Sequence, residues 1–260
     1  MKYKIGDLVT RKSYDHDMIF KIIDFIDEEY ILKGISIRLC ADSKEEDLSL
    51  FEGDEDRDDK EFNDKINDDI ELNRDEYFYL PGKILHIDGD VEYLNKCLEY
   101  YKKSGLWAVG VNLKENEVRE TIRELIEEHK PNIIVITGHD AYYKKKGKTQ
   151  DLNAYKNSYN FTEAVKEVRK YESSHEKLII IAGACQSDYE ELIRSGANFA
   201  SSPKRINIHA LDPAIIAKSV SLTDITLDID LKTIIEKTKY GKDGIGGIKT
   251  KGTMYIGYPR

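Results

Sequence analysis

The chain has 260 residues, 40% of them hydrophobic, with 17 Tyr and 7 Phe, enough apolar material for one sizeable domain and a small one without disulfide staples. Its three cysteines, Cys40, Cys97 and Cys185, have no paired spacing, which argues against a disulfide framework or a Cys-rich zinc site and for reduced thiols. A net charge of -9 gives no clear nucleic-acid surface, Met1-Lys-Tyr-Lys-Ile lacks a signal peptide's apolar run, and no stretch of about 18 apolar residues offers a membrane span, so a cytoplasmic protein is expected.

Residues 1–50 hold short β-like runs at 7–10, 18–23, 30–35 and 36–40, separated by Gly or acidic turns. Closely spaced strands with polar connections predict a small SH3-like β-barrel, a module that recruits partners more often than it does chemistry. From 51 to 76 there are 13 Asp and Glu against 4 Lys and Arg, leaving the rest of the chain formally neutral. Such a stretch buries too little surface to offset its ordering entropy, so 51–80 is predicted as an acidic linker, in part helical.

From Pro81 the pattern becomes regular. Lys83-Ile-Leu-His-Ile-Asp88 predicts a strand, and 91–104 an amphipathic helix with Leu94, Cys97, Leu98 and Tyr101 on one face, closed by Gly105. A strand at 107–111, a helix over 115–130 stopped by Pro131, and a strand at 133–137 follow. After a long loop, 140–160, come a helix at 161–171, a strand at 178–182, a helix at 188–195 and a short strand near 198–201. Runs at 225–228 and 253–257 read as added strands. The alternation predicts an α/β catalytic domain over 81–260, with a parallel sheet, right-handed crossovers and helices on both faces. That is a three-layer arrangement of caspase-like or flavodoxin-like type.

Two apolar runs each end in one reactive side chain, Ile133-Ile-Val-Ile-Thr-Gly-His139 and Leu178-Ile-Ile-Ile-Ala-Gly-Ala-Cys185. Both read as buried parallel strands that deliver His139 and Cys185 to the carboxyl edge of the sheet, where open α/β folds place their sites. A free thiol titrates at about 8.5 and needs an imidazole or a helix amino terminus to become a good nucleophile at neutral pH. Cys185 is placed for both, and the N–H groups of the helix predicted after it could hold an oxyanion. His139 precedes Cys185 by 46 residues, the order and separation described for caspase-type proteases.

The remaining candidates are weaker. Cys40 at a strand end and Cys97 on an apolar helix face read as core residues. His86 lies inside a strand, His129 beside a helix stop, and His16 and His175 in polar connections; none forms a metal-ligand spacing. His209 reads equally as a second polar site group or a structural loop residue. Asp88-Gly-Asp90 brings two carboxylates to the same edge, fitting either a receiver-type phosphoacceptor or recognition of a cationic substrate side chain. Against the first, the third strand ends in Gly-His and no Lys follows strands four or five; for the second, Asp140, Asp188 and Asp212 compete. The Lys144–Lys148 run reads as solvated loop.

The chain resembles the YabG family of sporulation-specific cysteine peptidases of endospore-forming bacteria. The resemblance is carried by Tyr3-Lys-Ile-Gly-Asp-Leu-Val-Thr-Arg-Lys-Ser13, Pro81-Gly-Lys-Ile-Leu-His-Ile-Asp-Gly-Asp90, Ile136-Thr-Gly-His-Asp-Ala-Tyr142, Ala182-Gly-Ala-Cys-Gln-Ser187 and Ala197-Asn-Phe-Ala-Ser-Ser-Pro-Lys-Arg-Ile-Asn-Ile-His-Ala-Leu-Asp-Pro213. It spans nearly the whole chain, the acidic segment being the departure. It implies a protease that processes spore coat and cortex-related proteins, made in the mother cell, and that cleaves after basic residues, chiefly Arg, with Cys185 as nucleophile and His139 as base.

In caspase-like enzymes a Gly commonly follows the histidine and helps to bind the oxyanion, whereas here Asp140 follows and Gly138 precedes. The backbone of Gly138, Ala184 and Cys185 is therefore the expected oxyanion site, and Asp140 the candidate to orient the imidazole. Asp88, Asp90 and Asp188 are candidates to bind a basic P1 side chain. The expected reaction is acyl transfer through a Cys–His dyad, without cofactor or metal. Two alternatives compete: a small-molecule cysteine amidase, which usually places Cys before His, and a receiver-like or scaffold module, for which Cys185→Ala would leave function intact.

Overall fold

A computed structural model of the protein describes residues 2–53, 59–66, 72 and 74–259. The chain divides into two compact units, Met1–Asn67 and Asp68–Arg260. In the first, β1 (Leu8–Arg11), β2 (Phe20–Ile26), β3 (Glu29–Gly34), β4 (Cys40–Ser43) and β5 (Leu48–Leu50) form one antiparallel sheet in the order β4-β3-β2-β1-β5. The β2–β3 hairpin turns at Asp27 and Glu28, both at positive φ (50° and 67°), the two-residue turn whose twist matches its strands. Val9, Phe20, Ile22, Tyr30, Leu32 and Leu48 pack into a shared core with Tyr3.

The strand expected at 36–40 comes later, as β4, and β5 was not foreseen. Cys40 is exposed, not a core residue: it opens an edge strand, where alternate side chains face solvent. Within the acidic stretch, α1 (Lys60–Ile66) is helical and buries Phe62 and Ile66. The linker expectation at 54–58, 67–71 and 73 lies outside the described residues.

The second unit runs β6 (Phe78–Leu80), β7 (Ile84–Asp88), α2 (Val91–Lys103), β8 (Ala108–Asn112), α3 (Val118–His129), β9 (Ile133–Thr137), α4 (Ser158–Tyr171), β10 (Ile179–Ala182), α5 (Tyr189–Arg194), β11 (Phe199–Ser201), α6 (Asp212–Ser221), α7 (Leu231–Glu236), β12 (Ile245–Gly247) and β13 (Tyr255–Gly257). Its main sheet has the order β8-β7-β9-β10-β11-β12, parallel except for β12. β6 and β13 pair separately. Counted from β7, the five parallel strands run 2-1-3-4-5, a doubly wound order whose switch point lies between β7 and β9.

All five residues of β9 and all four of β10 are buried, which is why both read as unbroken apolar runs. Alternate residues serve opposite faces: Leu85, Ile87, Ile134, Ile136, Ile180 and Ala182 share one core with Val118, Ile122 and Ile126 of α3 and Phe161, Val165 and Val168 of α4. The α6 helix was not foreseen. Nine of its ten residues are buried, Asp212 and Lys218 included, so it lacks the apolar stripe that betrays an amphipathic helix. The run expected as a strand at 225–228 forms none: isolated bridges occur at Asp228 and at the preceding Asp224. No helix among the described residues is long and apolar enough to cross a membrane.

Candidate active site

Strand register sets the site. Asp88 of β7 pairs with Thr137 of β9, and Ile136 of β9 with Ala182 of β10. Two residues beyond the first pair come Asp90 and His139; three beyond the second come His139 and Cys185. Asp90, His139 and Cys185 therefore each lie two or three residues past the carboxyl ends of three neighbouring strands, spaced about 4.8 Å apart, at the carboxyl edge of the sheet and around its switch point.

His139 is fixed on every side but one. Its Nε2 meets Asp90 Oδ2 at 2.9 Å, its N–H donates to Glu115 Oε1 at 2.7 Å, and its carbonyl accepts from Asn157 Nδ2 at 2.8 Å. Tyr93 flanks the imidazole at 6.0 Å between ring centroids. Among the described residues Nδ1 has no hydrogen-bond partner. With an ionised carboxylate on Nε2, the neutral ring carries its proton there and leaves the Nδ1 lone pair to accept one.

Asp90 is itself held, because it caps α2. Its Oδ1 accepts the N–H groups of Glu92 (3.0 Å) and Tyr93 (3.2 Å), which leaves Oδ2 for the imidazole. Glu115 was not singled out from the sequence, where it read as the start of a helix. Its carboxylate approaches so closely that a Cβ on Gly89 would lie 2.5 Å from Oε1, and one on Gly138 would collide with the same oxygen. The two glycines thus make room for the group that anchors His139.

Cys185 lies in a turn, 3% exposed. Gly183 (φ 101°) and Gln186 (φ 56°) both sit in the left-handed region, and a Cβ on Gly183 would meet Leu192 Cδ1 at 2.8 Å. The Cys185 Sγ accepts the N–H of Ile208 at 3.3 Å, and Gln186 N–H donates to Ile206 O at 3.0 Å, so residues 206–208 lie against Cys185. His209 follows directly. It is buried, its Nδ1 accepts the Leu211 N–H at 3.1 Å, and its own N–H donates to Asp212 Oδ2 at 3.0 Å.

The backbone groups named as oxyanion donors divide. The Ala184 N–H is already committed to Ser187 Oγ at 2.9 Å. The helix expected directly after Cys185 begins at Tyr189, and Asp188 caps it by accepting the Glu191 N–H, so its amino terminus is served by its own cap.

The carboxylates also separate by partner. Asp140 bonds to Ser158, Ser187 and the N–H groups of Ala141 and Asn157, not to the imidazole. Burial pushes its carboxyl above the ordinary range against the pull of those bonds. Asp88 is fully buried, accepts the Asp90 N–H at 2.9 Å and lies 3.8 Å from His86 Nε2. Asp188 pairs with Arg205 Nη2 at 3.2 Å; the same guanidinium reaches Glu190 and donates through Nε to Tyr155 Oη at 2.8 Å. Asp212 accepts the Lys239 N–H at 2.8 Å. No cluster of His, Cys, Asp or Glu with metal-holding geometry occurs among the described residues. Cys97 is buried, with its thiol on Ala210 O at 3.3 Å.

A thiol and an imidazole that follow adjacent strands at the carboxyl edge of a doubly wound sheet, the imidazole with one nitrogen unpartnered among the described residues, are groups suited to hydrolysis through a covalent intermediate. Comparison with known proteins fixes the class. The family model YabG peptidase U57 matches residues 4–259, so this chain is a peptidase acting on protein or peptide substrates. It belongs to the YabG family, and it is 42% identical over 286 aligned positions to the sporulation-specific protease YabG of Bacillus subtilis (strain 168), with 100% of this chain and 99% of that relative covered.

Proposed function

We propose that the protein is a sporulation cysteine endopeptidase in which Cys185 is the nucleophile, His139 the base and Asp90 the group that orients the imidazole. His139 takes the thiol proton at Nδ1, and the thiolate attacks the scissile carbonyl. The tetrahedral oxyanion collapses with cleavage of the C–N bond as His139 gives its proton to the departing amine. Water, deprotonated by His139, then attacks the thioester, and Cys185 leaves as thiolate. Backbone N–H groups at Cys185 and Gly138 are the oxyanion donors in this scheme.

What carries the reading is the place of Asp90, His139 and Cys185 just past the carboxyl ends of β7, β9 and β10, with the 2.9 Å bond from His139 to Asp90. Asp140 is left out of the orienting role because its oxygens are occupied elsewhere. Substrates are spore coat and cortex-related proteins of the mother cell, cut after Arg. Asp188 and Glu190 pair with the chain's own Arg205, so a P1 arginine would have to displace that guanidinium to use them. The sheet architecture and the histidine-before-cysteine order support a caspase-like relationship.

The test compares wild type, Cys185→Ala and His139→Ala on peptides that differ only at P1, with the intact mass of each purified protein recorded. Cleavage after Arg by wild type alone supports the assignment. Undiminished cleavage by Cys185→Ala would remove it.

A further inference from the structure

The Cys185 turn is held at both ends by one carboxylate, that of Asp140. Along one arm, the Ala184 N–H donates to Ser187 Oγ at 2.9 Å, and the Ser187 hydroxyl donates to Asp140 Oδ2 at 2.8 Å. Along the other, the Asp188 N–H donates to Ser158 Oγ at 2.8 Å, and the Ser158 hydroxyl donates to the same Oδ2 at 2.5 Å. Ala184 and Asp188 bracket Cys185. The second oxygen, Oδ1, accepts the N–H groups of Ala141 at 2.8 Å and Asn157 at 2.7 Å, so the carboxylate is also tied to the segment that follows His139.

With Asp140 ionised, the proton inventory closes. Each serine oxygen already receives a backbone N–H, so each hydroxyl hydrogen is free to point at Asp140, and all four groups facing the carboxylate are donors. Only an ionised, acceptor-only group satisfies all four at once. Fully satisfied buried networks of this kind specify one geometry. The turn needs such support, because Gln186 sits at φ 56°, a conformation that persists in a non-glycine residue only where its surroundings over-determine it.

We propose that Asp140 is a positioning residue for the cysteine, acting through Ser187 and Ser158 to set the Cys185 turn against the His139 segment. This rests on Cys185 and His139 being the reacting pair. It assigns Asp140 a task on the strand beside its own, not on the imidazole next to it in sequence. Ser187 is the arm closest to the nucleophile, and its hydroxyl is the part that matters, so Ser187→Thr should preserve what Ser187→Ala loses.

The experiment measures kcat and KM on an Arg-containing peptide, and separately the pH dependence of Cys185 alkylation by iodoacetamide, read by peptide mass. The proteins are wild type, Ser187→Ala, Ser187→Thr, Asp140→Asn and the Ser187→Ala/Asp140→Asn double variant, each checked for a native circular dichroism melt. The expected result is a loss of about tenfold or more in kcat with KM little changed for Ser187→Ala and Asp140→Asn, a changed pH profile of alkylation, and recovery in Ser187→Thr. The double variant should be no worse than the poorer single, as for residues in one network. Full kcat with an unchanged alkylation profile in Ser187→Ala, or equal losses in Ser187→Ala and Ser187→Thr, would overturn the assignment. Alkylation does not depend on turnover: if Cys185→Ala still cleaves, Cys185 is not the nucleophile, while the alkylation profiles still decide whether Asp140 and Ser187 position the thiol.

Discussion

Replacing Asp90 by Asn isolates the orienting bond from the helix cap. Asp90 uses Oδ1 for the Glu92 and Tyr93 N–H groups and Oδ2 for His139. Asn caps about as well as Asp, so stability should change by less than about 0.5 kcal/mol. Toward the imidazole, however, an amide N–H now faces Nε2. That nitrogen must accept, the ring proton moves to Nδ1, and the nitrogen meant to take the thiol proton is filled. Loss of a hydrogen bond to a charged group costs about 1.5–3 kcal/mol, or about 10- to 150-fold at 1.36 kcal/mol per decade. Inversion of the tautomer raises the expected loss in kcat to about 10²- to 10⁴-fold. Asp90→Ala should lose comparable activity and, in addition, about 1 kcal/mol of stability with the cap. The assay is steady-state peptide cleavage beside urea denaturation of all three proteins. Asp90→Asn turning over within threefold of wild type would refute the orienting role, whatever its stability.

Three further outcomes follow from the same geometry. Glu115→Ala removes the acceptor of the His139 N–H and should lower kcat about tenfold, whereas Glu115→Gln, which keeps an acceptor oxygen, should stay within about threefold; identical effects in the two would dismiss the anchor. Arg205 ties the segment lying against Cys185 to Tyr155, Asp188 and Glu190, so Arg205→Ala should speed alkylation of Cys185 about fivefold, a partly exposed pair being worth about 1 kcal/mol; an unchanged rate would show that this contact does not govern access to the thiol. The Asp140 carboxyl is raised by burial, so the folded state holds its proton at pH values where the unfolded chain has lost it. Its contribution to stability is full below the unfolded value near 4 and is lost as pH rises through the raised folded value. Denaturation curves from pH 4 to 7 should therefore show wild type losing stability relative to Asp140→Asn as pH increases, and a constant difference would contradict that burial.

Much of this site is legible one strand at a time. Ile133–Thr137 and Ile179–Ala182 are continuous apolar runs because both faces of each strand are covered, and a parallel sheet places their carboxyl ends on one edge. The placement of His139 and Cys185 past the carboxyl ends of adjacent strands is therefore legible in the sequence. Cys97 also reads correctly as a core thiol, since it lies on the apolar stripe of α2. By contrast α6, buried almost all round, carries no stripe to read, and Cys40 looked apolar by residue type while sitting on an edge strand.

Partnership between distant segments was decided by the tertiary structure alone. Asp140, adjacent to His139 in the chain, looked like the group for the imidazole, yet the 2-1-3 strand order puts β7 beside β9 and brings Asp90 to Nε2 from 49 residues away. Successive residues leaving a strand point to opposite sides, so Asp140 turns from its neighbour toward Ser158 at the start of α4 and Ser187 after β10. Asp188 and Arg205 find each other in the same way across β11. Local sequence carries the propensity and burial pattern that make a strand, whereas which strands become neighbours, and in what register, is set by packing the whole sheet between its two layers of helices.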